Sequence, residues 1–351
     1  MAPLIKALEA DEEMESIVCV TAQHREMLDQ ILDLFQITPD YDLDLMTDRQ
    51  TITSITTKAL TGIEDVIKET KPDVVLVHGD TTTTFCGALA AFYQQVDVGH
   101  VEAGLRTRNI YSPYPEEFNR QAVGLVAKYH FAPTEGAKEN LLMEGKDESG
   151  IFVTGNTAID ALQMSIEPDY TSELLEWVGD KKLILVTAHR RENLGEPMVH
   201  MFRAINRIAM ERDDIKVVYP IHKNPVVRET AKSVFGENSH VIKLIEPMDV
   251  YNFQNTMAKS HIILTDSGGI QEEAPSLGVP VLVMRDTTER PEGIKAGTLR
   301  LVGTDEENIY KNFKELLENQ EAYMTMAQAS NPYGDGKASA RIVEILKGGK
   351  L

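Results

Sequence analysis

"TDSGGIQEEAPSLGVP", residues 265–280, sits between two apolar runs, "HIIL" (261–264) and "VLVM" (281–284). Short β-branched runs on either side of a glycine-opened helical stretch make a strand, turn, helix and strand, the crossover unit of a parallel sheet. Gly268 and Gly269 mark where strand gives way to helix, with Ser267 as the natural cap. A helix start presents free N–H groups and a positive dipole end, and glycine lets an anion such as a diphosphate come close. Glu272 and Glu273 are expected in the first turn, where Glu273 reaches past a phosphate toward a ribose diol. An ordinary helix start, in which first-turn acids are simply favourable, accounts for the same spacing.

The rhythm extends in both directions. "SIVCVT" (16–21), "DVVLVHG" (73–79), "VDVGHV" (96–101), "YHFAP" (129–133) and "GIFVTG" (150–155) read as buried strands with amphipathic helices between them. "SIEPDYTSELLEWVGD" (165–180) breaks the pattern with acids, a proline and the only tryptophan. Strands then resume at 182–189, 215–220, 240–245, 261–266, 280–285 and 299–303. The fold class expected is α/β, with two Rossmann-like doubly wound domains and a cleft between them. They span 1–164 and 181–332, joined by a linker at 165–180, and a C-terminal helix within 333–351 crosses back to the first domain.

Composition narrows the function. A formal net charge of −20 argues against nucleic acid, which clustered Lys and Arg must bind. No apolar stretch approaches the ~20 residues that span a bilayer, and no signal peptide is visible, so a cytoplasmic protein without a membrane partner is expected. Cys19 and Cys86 lie in apolar runs without metal-ligand spacing, so no metal is expected. No GxGxxG follows an early strand and no GxxxxGK[ST] occurs, which disfavours nicotinamide cofactors and P-loop chemistry; no cofactor is expected.

Polar groups gather at strand ends. His189, Arg190 and Arg191 end one strand, His222 and Lys223 follow another, and Arg285 and Arg290 lie in "VMRDTTERPE". In so acidic a chain such a concentration suits anion binding. The first half instead places acids there: Asp80, Glu102, then Glu116 and Glu117 opening a helix with Arg120 one turn on. A Glu116–Arg120 ion pair is the plain alternative for those two. Carboxylates in one domain and an anion clamp in the other suit proton transfer on a sugar attached to a nucleotide.

"HGDTTTTFCGALAAF", "GHVEAGLRT", "SPYPEEFNR", "GNTAID", "VTAHRREN", "TDSGGIQEEAPSLGVPVLVMRDTTERPE" and "NPYGDGKAS", in this order over essentially the whole chain, closely resemble the non-hydrolysing bacterial UDP-N-acetylglucosamine 2-epimerases. The resemblance implies a glycosyltransferase-B type of fold and interconversion of UDP-GlcNAc and UDP-ManNAc through 2-acetamidoglucal. By position it implies Asp80, Glu102, Glu116 and His189 as catalytic groups. Arg120, His222, Ser267, Gly268, Gly269, Glu273, Arg285 and Arg290 form the expected substrate-binding set. It also implies a homodimer, and a second UDP-GlcNAc acting as activator beside Gln23 and Arg49, with Glu26 where the family often has Gln.

The family opens with a strand and a "GTRPEAIK"-like loop, whereas this chain opens in the helical "PLIKALEA" (3–10). The expectation is that the natural protein begins about 15 to 20 residues upstream, one strand and a turn. The strands at 16–21 and 73–79 would then flank a slot about 10 Å wide, two sheet spacings. Three further readings remain: a UDP-sugar glycosyltransferase of the same fold, a hydrolysing epimerase, and a catalytically impaired UDP-sugar binding protein.

Overall fold

Every strand pairing in the computed structural model is parallel. The structure describes residues 1–22, 25–45, 50–236, 240–288 and 290–348. They fall into two units, Met1–Ala161 with Tyr333–Leu351, and Leu162–Pro332.

In the first unit β1 (Cys19–Val20) pairs with β2 (Tyr41–Asp42) as a two-stranded ribbon. A separate sheet runs β3 (Val74–His78), β4 (Asp97–Val101), β5 (Tyr129–Ala132), β6 (Ile151–Val153) in that order. Only two residues of the strand expected at 16–21 pair, and they pair with β2, which the sequence pattern did not reveal; β3 is not their neighbour. Ile342, Val343 and Ile345 of the last helix, Ala338–Leu346, pack with Leu4, Val101 and Phe131. The Asp160 carboxylate accepts from the amides of Ala338 and Ser339, which caps that helix from within the same unit.

The second unit contains β7 (Lys182–Thr187), β8 (Ile215–Pro220), β9 (Ile242–Ile245), β10 (Ile262–Thr265), β11 (Val281–Val283) and β12 (Leu299–Leu301). Their order is β12-β11-β10-β7-β8-β9, so the winding direction reverses between β7 and β10. Period-two alternation explains why these strands read as unbroken apolar runs. Ile184, Val186, Leu264 and Leu282 face one core, while Leu183, Leu185, Ile263 and Val281 face the other.

The linker expected at 165–180 is corrected: all of it belongs to the second unit. Ser172 caps a short helix, Glu173–Val178, whose Leu174 and Val178 bury against Leu162 and Leu183. The proline and acids of this stretch suggested a break, but the i, i+4 spacing of Leu174 and Val178 is that of a docked helix. No helix among the described residues is long and apolar enough to cross a membrane.

Candidate active site

In the first unit the acids stand where strands end. After β3 the chain turns at Gly79 (φ +67°), and Thr81 caps the helix Thr82–Tyr93. A left-handed turn this tight favours glycine. Asp80 lies in it, held from three sides. His100 Nε2 donates to the Gly79 carbonyl at 2.7 Å, Asn119 Nδ2 donates to the Asp80 carbonyl at 2.9 Å, and the Arg120 guanidinium grips the Asp80 carboxylate. Burial pushes the His100 imidazole down to about 4, so it is neutral and its Nε2 proton serves the carbonyl.

Arg120 turns to Asp80 and to Glu117 (3.1 Å), which sets aside the plain alternative of a Glu116–Arg120 pair. Glu117 is fully buried and also accepts from the amides of Thr107 (3.0 Å) and Arg108 (3.1 Å) and from Gln121 (2.8 Å). Burial works against its charge, and these donors overcome it to hold the carboxyl below the usual range. Glu116, freed of Arg120, opens the helix Glu116–Val126, and its Oε2 is buried without a hydrogen-bond partner among the described residues. An orphaned carboxylate oxygen is costly in a folded core and marks a group kept for a ligand or proton.

Glu102 follows β4 with φ +64°. A non-glycine residue in the left-handed region is uncommon and strained, a feature concentrated at functional sites. Its Oε2 lies 3.4 Å from His78 Nε2, and that nitrogen is 3.3 Å from Thr157 Oγ1. Burial pushes His78 down to about 3, so Glu102 has a neutral imidazole beside it. Sequence reading passed over His78, His100 and Asn119, and took Glu117 only as an acid opening the helix. His78 and Asp80 share strand parity, and Glu117, Arg120 and Gln121 share a helical face, which were the available signals.

In the second unit the helix runs Gly268–Ser276, with Ser267 capping by position but without a side-chain capping bond. The Ser267 amide already donates to Thr265 Oγ1 at 2.9 Å, so the open first-turn amides belong to Gly268 and Gly269. Glu272 and Glu273 fall in the second turn, not the first as expected, and the dipole account of them weakens accordingly. Glu273 lies over the turn: its Oε1 would be 3.8 Å from a Cβ on Gly269. Burial, with Glu272 alongside, pushes its carboxyl up to about 7, although Gln254 donates to it. Glu272 is paired to Arg290 Nε at 2.5 Å.

His189 and Arg190 follow β7, directly beside β10, and so border the crevice where the winding reverses, the place an open α/β sheet binds ligands. The His189 ring stacks on that of His222, centroids 5.2 Å apart. His222 Nδ1 accepts from the Asn224 amide at 3.0 Å. Arg285, expected to meet an anion, is buried and binds Glu192 at 3.0 Å, where it braces the 189–193 loop. Gln23 and Arg49 lie outside the described residues.

Residues 6–347 match the sequence model of the family described as UDP-N-acetylglucosamine 2-epimerase. The UDP-N-acetylglucosamine 2-epimerase of Bacillus subtilis (strain 168) is 63% identical over 346 residues, covering 99% of this chain and 91% of that protein. A solved UDP-N-acetylglucosamine 2-epimerase is 60% identical with a TM-score of 0.92, covering 99% and 91% of the two chains. The UDP-GlcNAc 2-epimerase from Neisseria meningitidis, solved bound to UDP-GlcNAc, is 50% identical with a TM-score of 0.86, covering 99% and 96%. Matched over nearly its whole length, the chain belongs to the UDP-N-acetylglucosamine 2-epimerase family.

Proposed function

We propose that the protein interconverts UDP-N-acetylglucosamine and UDP-N-acetylmannosamine by eliminating UDP and adding it back after C2 has taken a proton on the opposite face. The C2 hydrogen is not next to a carbonyl, so departure of UDP leads. The C1–O bond breaks with its electron pair going to the diphosphate, a carboxylate removes the C2 proton, and the C1–C2 double bond of 2-acetamidoglucal forms. Re-addition returns UDP to C1 on the face it left, while C2 takes its proton on the face opposite the one deprotonated. The observation that carries this reading is Glu116, whose buried Oε2 has no partner among the described residues while Arg120 is engaged by its neighbours.

Asp80, Glu102 and Glu116 are the proton-transfer groups of the reading. Arg120 grips the Asp80 carboxylate and so places it. Gly268 and Gly269 receive the diphosphate, with Ser267 and Arg290 beside them and Glu273 on the ribose. His189 and His222 border the same crevice, so His189 meets the departing phosphate.

The reading extends to a UDP-GlcNAc activator at Gln23 and Arg49, on the resemblance alone, and to a cytoplasmic setting, since the substrate is a free nucleotide sugar. It also extends to a homodimer. The neighbouring helices Thr82–Tyr93 and Glu116–Val126 expose Phe92, Tyr93, Phe118 and Leu125, apolar surface that a second copy would cover.

Incubation with UDP-GlcNAc alone, followed by NMR, tests the function. The expected product is UDP-ManNAc at equilibrium with substrate. Free ManNAc with UDP would mean hydrolysis, and unchanged substrate would mean a transferase or a binding protein.

A further inference from the structure

Asp266 was no part of the expected site, yet it is fully buried at the end of β10, across the winding reversal from the end of β7. Its carboxylate gathers the chain that follows β7. Oδ2 accepts from the amides of His189 (3.0 Å) and Arg190 (2.9 Å) and from Asn193 Nδ2 (3.0 Å). Among the described residues, Oδ1 accepts only a longer branch from the His189 amide, at 3.1 Å. A carboxylate offers about four lone-pair sites, so Oδ1 keeps capacity that the Oδ2 side has used.

That spare side faces an imidazole. His189 Nδ1 lies 3.6 Å from Asp266 Oδ1, within ion-pair range but beyond hydrogen-bond length. Contacts of this kind are commonly loose in unliganded sites and tighten when substrate arrives. Other titratable and charged groups near the pair among the described residues include Tyr219, whose phenol is pushed up by burial and, further, by the charge of Asp266. His222 stacks on the ring, and Arg190 Nε donates to the Asp266 carbonyl at 3.1 Å.

We propose that Asp266 is a positioning residue for His189: the carboxylate accepts the Nδ1 proton, fixes that tautomer and aims Nε2 at the departing diphosphate. The backbone bonds fix where the His189 Cα sits, and the side-chain contact fixes which nitrogen faces outward. When protonated, the imidazole donates from Nε2 to the leaving phosphate oxygen and is left as the Nδ1–H tautomer. In the reverse step Nε2 takes the same proton back. A buried carboxylate behind a histidine is the arrangement that sets tautomer and orientation elsewhere.

The inference rests on the reading of His189 as the group that meets the diphosphate, and the test separates the two. Long-range proton–nitrogen correlation spectra of the intact chain with labelled histidine, assigned by loss of one signal in His189→Asn, report the His189 tautomer directly. The expected neutral form carries its proton on Nδ1; a proton on Nε2 overturns the proposal even if Asp266→Asn does not fold. In steady-state assays Asp266→Asn lowers kcat about 100-fold and changes KM by less than about threefold, and adds less than about twofold to His189→Asn. Equal losses in both backgrounds, or a loss confined to KM, would show that Asp266 only supports the loop. A wild-type chain without epimerase activity would overturn the proposed function, while the tautomer would still decide this point.

Discussion

Glu273 shows how one side chain ties binding to pH. Its carboxyl sits at about 7 because it is buried beside Glu272, and it accepts ribose hydroxyls best when ionised. UDP affinity is therefore expected to rise with pH and level off above about 7, with proton release on binding below that. Calorimetry in buffers of different ionisation enthalpy checks this, and Glu273→Gln should abolish the dependence. The linkage to folding has the opposite sense. A carboxyl whose folded value lies above its unfolded one destabilises the native state once ionised, so its cost is absent below the ordinary value of about 4.5 and complete above about 7. Glu273→Gln should accordingly raise the melting temperature at pH 8 and leave it unchanged at pH 4. Arg290 differs because it also neutralises the buried Glu272. Arg290→Ala should lose about 1 to 3 kcal/mol of UDP binding and also destabilise the free protein. Replacing Asp80 or Glu102 should instead depress turnover and leave UDP affinity nearly intact. Titrations with the opposite pattern would reverse the roles assigned to the two units.

At the scale of elements, the helix Gly268–Ser276 separates an anion site from a plain helix start. Gly269 has an ordinary backbone conformation, and a Cβ there meets nothing closer than Glu273 Oε1 at 3.8 Å. Gly269→Ala should therefore fold normally, with stability unchanged or higher by roughly 0.5 to 1 kcal/mol. UDP binding should weaken, because the added methyl stands where a phosphate oxygen approaches. Undiminished affinity would return this helix to the plain reading. The crossover itself was legible because strands buried on both faces leave continuous apolar runs. The register of the acids was not, since the helix begins at Gly268 and carries Glu272 and Glu273 into its second turn. The strand at 16–21 was legible, but its partner β2 was not: two residues pair on each side, too few to make a period. Asp266, and the buried network of Glu117, escaped notice because a buried carboxylate satisfied by backbone amides leaves no pattern in its neighbours.

At the scale of the whole molecule, the account assigns nucleotide binding to the second unit and proton transfer to the first. The C-terminal segment belongs to the first unit through Asp160 and the cluster around Leu4. Asp160→Ala should uncap the helix Ala338–Leu346 and destabilise that unit by about 1 to 2 kcal/mol, with UDP affinity retained. Denaturation followed in the presence and absence of UDP checks this. The central claim is that C2 loses its hydrogen and regains one from solvent while UDP leaves and returns. Turnover of UDP-GlcNAc in deuterated water, followed by NMR, tests it most directly: deuterium is expected at C2 of both UDP-GlcNAc and UDP-ManNAc, and formation of UDP-ManNAc with full retention of the original C2 hydrogen would contradict the account.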